Sequence, residues 1–391
     1  MADDVLDCFA VAAPGLEQLV AGELAALGLA GAAEPGGVPF RGTLADVARA
    51  NLHLRIASRV LVRAARFHAR ALGELERRAK HVAWDRFLSA GADVRVRATS
   101  RKSRLYHQGA VAERVGTAIA ERIGGSWHAG AEDEDALPPP LVVVRLLRDE
   151  CELSVDTSGA LLHRRGWRLA AGKAPLRETL AAALLAASGW DPATPLVDPF
   201  AGSGTIAIEA ALRARRIAPG LGRRFAILDW PGFDPTIWDA LVRDARERIL
   251  PSAPPIVAAD RDAGACAAAR GNADRAGVAG NVEVRQAPLS ALDPPPGRGA
   301  LVSNPPYGRR LGDRRHLRDL YARLGQIARS RLDGWIVALL VPAAPLERET
   351  GLRLEERLRT TSGGLPVRCV TSAGRIDLPA PAATFPAREG E

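Results

Sequence analysis

Asp198-Pro199-Phe200-Ala201-Gly202-Ser203-Gly204-Thr205 follows a short apolar run, Pro195-Leu196-Val197, and leads straight into an Ala/Ile/Leu-rich segment at 206–216. Strand, glycine turn and helix in that order open a nucleotide-binding parallel sheet. The glycines let a ligand approach the backbone closely. Gly202-x-Gly204-x-x-Ala207 also satisfies the dinucleotide pattern, a weak signal by itself. Asp198 argues against a dinucleotide. A carboxylate at the strand end repels a pyrophosphate and suits the ammonium and sulfonium of S-adenosylmethionine.

An acid for the cofactor ribose normally stands about 20 residues further on. That count lands near Asp229, but Asp229-Trp230-Pro231-Gly232 reads as a turn before an extra helix at 236–249. The second strand is instead Pro255-Ile256-Val257-Ala258-Ala259, ended by Asp260. The first two units are therefore separated by an insertion. Asp260 is the expected ribose ligand, and Asp262 the N-cap of the next helix. The third strand is expected at 281–285. Gln286-Ala287-Pro288 follows it, where an acid for the adenine amine is usual; Asp293 lies further on.

The fourth strand, Gly299-Ala300-Leu301-Val302, runs into Ser303-Asn304-Pro305-Pro306-Tyr307-Gly308. Two prolines stop a helix and exclude a central strand, so this is a stiff loop at a strand tip. An aromatic amine such as the 2-amino group of guanine is planar. It must regain lone-pair character and shed a proton to attack a methyl group. The Asn304 side-chain oxygen and the Pro305 carbonyl can accept its two N–H bonds and stabilise the charge growing on nitrogen. Tyr307 can stack on a base taken out of its helix. A lone Asn-Pro-Pro would be a mere turn. Strand context and the upstream glycine motif favour the functional reading.

With 391 residues the chain is too long for one ordinary domain. Net charge +8 and a pI near 10.0 favour a polyanionic partner, nucleic acid first. Cys8, Cys151, Cys266 and Cys369 form no CxxC and read as reduced buried thiols, with no metal site expected. The acidic start, Met1-Ala2-Asp3-Asp4, is unlike a signal peptide, and no apolar run reaches membrane-spanning length, so a cytoplasmic protein is expected.

The first 67 residues read β-α-β-α-β, with strands near 8–11, 38–41 and 55–67 and helices at 16–27 and 44–52: a ferredoxin-like α+β module. A helix is predicted at 75–88, with Trp84 and Phe87 in the core. Val94 to Thr99 alternates as a half-exposed strand. Ser100-Arg101-Lys102-Ser103-Arg104-Leu105-Tyr106-His107-Gln108 comes next, ahead of a helix at 111–123. A basic loop before a helix start is a natural phosphate site. Arg101, Lys102, Arg104 and Tyr106 are the expected RNA contacts. A hairpin at 141–147 and 152–155 closes this module. His163, in the basic bridge 161–168, has no acid or nucleophile near it in sequence and reads as an interface residue. Further helices are expected at 179–188 and 317–330, and a strand at 335–341.

With the two motifs in this order, the chain resembles the THUMP-containing RNA methyltransferases. It is most similar to the N-terminal half of the bacterial enzyme that methylates the guanine 2-amino group in 23S ribosomal RNA. The resemblance covers most of the chain, through residues 8–27, 94–123, 174–180, 198–205, 217–220 and 304–308. It implies a Rossmann-like class I methyltransferase domain at 161–378, preceded by a ferredoxin-like module at 1–66 and a THUMP domain at 67–160. A flexible tail is expected at 379–391. It implies S-adenosylmethionine contacts from Asp198, Gly202, Gly204 and Asp260, with Phe200, Ala201 and Thr205 completing the turn. Asn304, Pro305, Pro306 and Tyr307 would hold the target base. Gln286-Ala287-Pro288 departs from the family pattern and implies weaker cofactor affinity or a substitute group. One methyl-transfer activity is expected, because no second methyltransferase domain follows. Within the family the rival reading is a tRNA guanine methyltransferase. Outside it stand an RNA-binding assembly factor with a vestigial pocket and a nicotinamide oxidoreductase.

Overall fold

The computed structural model describes residues 4–130, 138–168, 176–307, 314–342 and 346–372. The tail expected at 379–391 lies outside the described residues, as do Gly308 and residues 173–175.

The first part holds β1 (Leu6–Val11), α1 (Glu17–Ala26), β2 (Gly37–Gly42), α2 (Leu44–His53), β3 (Arg59–His68) and α3 (Leu72–Lys80). It continues with β4 (Asp93–Arg101), α4 (Gln108–Ile123), β5 (Ser126–Ala129), β6 (Leu141–Leu147) and β7 (Glu150–Asp156). Thr43 and Asp46 make a capping box that starts α2, each side chain bonding the other's backbone N–H. Arg148 and Asp149 both take positive φ, the conformation of a tight two-residue hairpin between β6 and β7.

All seven strands form one sheet in the order β2-β1-β3-β7-β6-β4-β5. Strand β3 pairs with β1 on one side and β7 on the other, so the expected boundary at 66/67 falls inside a shared strand. Two sequence expectations fail here. The helix predicted at 75–88 ends at Lys80. Trp84 then turns into the core, fully buried, and its indole N–H donates to the Ala79 carbonyl at 2.8 Å. Strand β5 was not foreseen: it is four residues long, mostly exposed, and lies at the sheet edge.

The second part holds α5 (Glu178–Ser188), β8 (Leu196–Asp198), α6 (Thr205–Ala214), α7 (Pro235–Glu247), β9 (Ile256–Asp260) and α8 (Ala263–Arg275). After these come β10 (Val282–Gln286), β11 (Ala300–Ser303), α9 (Arg314–Arg331), β12 (Ile336–Pro342), β13 (Glu355–Ser362) and β14 (Leu365–Thr371). The order is β10-β9-β8-β11-β12-β14-β13, parallel from β10 to β12 and antiparallel at β14 and β13. Both β8 and β11 are buried throughout, as strands covered on both faces must be. The chain runs outward from β8 to β10, then crosses back to β11 beside β8. That reversal is the switch point where open sheets bind ligands. The β13–β14 hairpin escaped sequence reading, because β13 is largely polar and Pro366 interrupts β14.

The insertion between β8 and β9 does more than add a helix. It carries the face on which helix α2, the Phe87 turn and the linker after β7 dock. Gly220 donates its N–H to the Leu52 carbonyl, and a Cβ there would lie 2.9 Å from Leu52 backbone atoms. Arg223 donates to the carbonyls of Ser158, Ala160, Leu161 and Arg164, and Trp230 packs edge-on to Phe87. Nearby, Arg165 and Glu209 form a fully buried ion pair at 3.2 Å. His163 sits in this seam, where burial first and Arg177 next push its pKa down to about 3 and keep the ring neutral.

Candidate active site

The parallel pairing of β8 with β11 places the ends of the two motifs side by side. Asp198 is 1% exposed and Ser303 is fully buried. The Ser303 hydroxyl donates to Asp198 Oδ1 at 2.5 Å, and the Phe200 N–H donates to the same oxygen at 3.2 Å. Burial pushes the Asp198 carboxyl up to about 7. The Ser303 and Phe200 hydrogen bonds oppose that rise, and the neighbouring Asp260 adds to it.

The glycine turn needs its glycines for two different reasons. Gly204 has φ +84° and a Cβ there would meet the Ala269 Cβ at 3.0 Å, so helix α8 closes that side. Gly202 has φ +52° but nothing lies within 4 Å of its Cβ position, so this side is open to a ligand. The Gly202 N–H donates to Asp260 Oδ2 at 2.9 Å, and Asp262 N–H donates to Oδ1 at 3.0 Å. Asp260 is thereby held against the turn at the tip of β9. Asp262 caps α8 by accepting from Ala265 N–H, as the sequence indicates.

Three supporting residues were not found by sequence. Asn272, on α8 and fully buried, donates to the Ser203 carbonyl at 3.0 Å. Arg168 reaches the turn from the linker, donating to Thr205 Oγ1 at 2.8 Å and to Ser203 Oγ at 3.4 Å. Glu178 accepts from Arg168 Nε at 2.8 Å and neutralises it there. The contacts of Asn272 and Arg168 with the turn join residues 35 to 69 positions apart, and no local spacing announces them.

In the loop after β11, Asn304 Oδ1 is shut off from solvent and has no hydrogen-bond partner among the described residues. A buried acceptor left without a donor is uncommon in a folded protein. Pro305 is buried, Pro306 exposed, and Tyr307 half-buried against the main core. Below them Tyr321, on α9, is fully buried. Its phenol is pushed well above the ordinary value by burial, then by Glu347 and Tyr307. At the third strand end, Asp293 lines a narrow cleft together with Ala287, Pro288 and Pro199.

The donor set fits S-adenosylmethionine. Two carboxylates flank an open glycine turn, and Arg168, the cation that reaches the turn, is already paired with Glu178. Asp198, Phe200, Ala201, Gly202, Gly204, Thr205, Asp260 and Asn304 to Tyr307 all come to the strand tips around the switch point. Arg101, Lys102, Arg104 and Tyr106 do not; they belong to the first sheet. There Asp149 pins the loop by accepting from Arg104 N–H at 2.7 Å, while its own N–H donates to Ser103 Oγ. The side chains of Arg101, Lys102 and Arg104 stay exposed with no ion pair among the described residues, and Tyr106 is 75% exposed.

Three family models match the chain in sequence: the RlmL ferredoxin-like domain over residues 7–61, the THUMP domain over 69–156, and the RMKL-like methyltransferase domain over 165–365. A Synechocystis protein named as a candidate RNA methyltransferase is 35% identical over 363 residues, covering 92% of this chain and 94% of its own length. The ribosomal RNA large subunit methyltransferase K/L of Methylococcus capsulatus is 38% identical over 373 residues, covering 93% of this chain. The chain spans 50% of that relative's length. Among solved structures, SMU.472, titled a methyltransferase complexed with SAH, has TM-score 0.84 and 30% identity, covering 96% of this chain and 99% of its own. A Listeria monocytogenes protein titled an N6-adenine-specific DNA methylase has TM-score 0.83 and 34% identity, covering 94% and 96%. Among the described residues no helix is long and apolar enough to cross a membrane. With a ferredoxin-like module, a THUMP domain and a methyltransferase sheet in that order, the chain belongs to the THUMP-containing, S-adenosylmethionine-dependent RNA methyltransferases of the RMKL-like family.

Proposed function

We propose that this chain methylates the exocyclic 2-amino group of a guanine in 23S ribosomal RNA. The observation that carries the reading is the unpaired, buried Asn304 Oδ1 one residue beyond the Ser303–Asp198 hydrogen bond. An acceptor in that state awaits a donor, and an aromatic amine brings two N–H groups. Bound S-adenosylmethionine supplies an electrophilic methyl on a sulfonium. Asp198 offers a carboxylate to the cation, Asp260 holds the turn and presents its carboxylate at the second strand tip, and Asn304 with the Pro305 carbonyl orients the amine. Tyr307 presents a ring on which the extruded base stacks. Rate enhancement then comes mostly from placement and fixed dipoles. On this reading the ferredoxin-like module at 1–66 precedes a THUMP domain at 67–160 that holds the RNA, and residues 161–378 carry the transfer. The K/L name of the ribosomal relatives favours 23S RNA over tRNA.

Mass mapping of methylated guanosines in total RNA, with and without the gene, tests the substrate. Loss of one N2-methylguanosine from 23S RNA is expected. Loss from tRNA alone moves the substrate to tRNA, and an unchanged methylguanosine map rejects the guanine reading.

Two further results are expected. Asp260→Ala weakens S-adenosylmethionine binding by about 1.5–3 kcal/mol, the worth of hydrogen bonds to a charged group. Calorimetry giving the wild-type affinity would remove Asp260 from the cofactor site. Replacing Arg101, Lys102 and Arg104 together with Ala lowers the salt slope of RNA binding by about two to three units, somewhat under one per phosphate contact. The weakening is even across sequences, because phosphate contacts position without specifying. A slope equal to wild type would return the loop to ordinary solvated surface.

A further inference from the structure

An open groove of about 640 Å³ lies on the first sheet between β3 and α3. Its floor is Ala64 and Ala65, where the register of β3 against β7 slips between Arg63 and Ala65. Such a bulge bends the strand and re-aims its side chains, and bulges gather beside functional sites. The two alanines leave the space empty. The rim carries Arg66, Arg77, Arg78 and His81, and among the described residues that line the groove none is acidic. Arg66 meets Glu150 at 3.3 Å and Arg78 meets Glu74 at 3.9 Å, both pairs largely exposed to water. Arg77 has no ion pair among the described residues. His81 Nδ1 lies 2.7 Å from the Arg77 carbonyl, so Nδ1 carries the hydrogen and Nε2 is left for another partner. The Arg78 guanidinium sits 5.6 Å over the Phe67 ring. The groove also spans a seam, since Ala64 to Phe67 fall between the ferredoxin-like match, 7–61, and the THUMP match, 69–156.

We infer that this groove is a second RNA site, which takes a nucleotide of a single-stranded segment of the substrate. The inference rests on the RNA methyltransferase reading and extends it. Arg77 and His81 meet the phosphate, and the base stacks on Arg78, already supported by Phe67. Single-stranded RNA is held in this way, by cations along the backbone and planar groups under the bases. The volume falls in the range of small-molecule sites and is ample for one nucleotide. A duplex presents no free base face to Phe67 and Arg78, so the groove selects unpaired RNA.

The test uses the full chain and a labelled 20-nucleotide single-stranded RNA of mixed sequence, followed by anisotropy over a salt series. Arg77→Ala/Arg78→Ala is expected to lower the salt slope by about one to two units and to weaken binding about tenfold near 0.1 M salt. Arg77→Lys/Arg78→Lys should keep the slope but bind more weakly, because the charge remains and the planar stack is lost. A 20-base-pair RNA duplex should respond less to either change. Both variants should keep the wild-type melting temperature and cofactor affinity, since the groove is exposed and lies apart from the cofactor site. If the double-Ala variant melts early, Arg77→Gln alone takes its place, with about half the slope change. Wild-type slope and affinity in a folded variant overturn the groove while leaving the methyltransferase reading intact. AMP binding that Arg77→Ala/Arg78→Ala abolishes, without any effect of AMP on RNA binding, also overturns it, making the site one for free nucleotides. A wild-type protein that neither binds this RNA nor methylates total RNA from a strain lacking the gene rejects the parent reading, and this inference with it.

Discussion

Asn304→Ala is expected to lower turnover about a hundredfold or more while leaving S-adenosylmethionine affinity near wild type. The Asn304 amide oxygen is buried and without a partner among the described residues. It makes its hydrogen bond only when the amine arrives, and that bond strengthens as positive charge grows on nitrogen. An interaction realised in the transition state acts on turnover more than on binding. Removing one preorganised polar group of this kind costs about two to three orders of magnitude elsewhere. The cofactor is held by the tips of β8 and β9, which the substitution does not touch. Tyr307→Ala should behave differently. It removes a ring worth about 1–3 kcal/mol of base stacking and should raise the RNA concentration needed for half-maximal rate. Tyr307→Phe keeps the ring and should be mild. Single-turnover assays on the true RNA separate the two effects. Near-normal turnover for Asn304→Ala would sink the proposed mechanism, whatever the substrate.

Cofactor affinity is expected to depend on pH through Asp198. Burial holds this carboxyl near 7 in the free protein, so below that pH it is mostly protonated. A cationic ligand favours the ionised form. Binding therefore releases a proton below about pH 7, and affinity rises by up to about tenfold per pH unit before levelling off above it. Calorimetry at pH 6 in two buffers of different ionisation enthalpy should show close to one proton released, falling toward none above pH 8. Asp198→Asn should flatten this profile and weaken binding about ten- to a hundredfold, the loss of a charge-assisted contact. Ser303→Ala removes a hydrogen bond that favours the ionised carboxylate, so the plateau should begin at higher pH. A profile flat between pH 6 and 8 in the wild type would mean that Asp198 does not meet the cation.

Much of the methyltransferase sheet was readable because its signals are local. A buried parallel strand is a short apolar run, a ligand turn needs glycine, and a strand-tip acid stands next to its strand. Asp198, Gly202, Gly204, Asp260 and Asn304 each carry such a signal. Signals failed where packing overrode local pattern. Trp84 left its helix to bury its ring. The polar β13 and the four-residue β5 are strands only because a neighbour offers them an edge.

The sequence by itself determined the order of the parts and the nucleotide-binding type of the second sheet, since each rests on residues adjacent in the chain. Tertiary structure decided what joins them. Pairing of β3 with β7 made one sheet of two modules, and the insertion after β8 became a docking face through Gly220 and Arg223. Asn272 and Arg168 came to brace the glycine turn, and Ser303 came to bond Asp198 across 105 positions. Hydrogen bonds and close backbone approaches between distant segments leave no periodicity in a sequence. They exist only once the strands that carry them have paired.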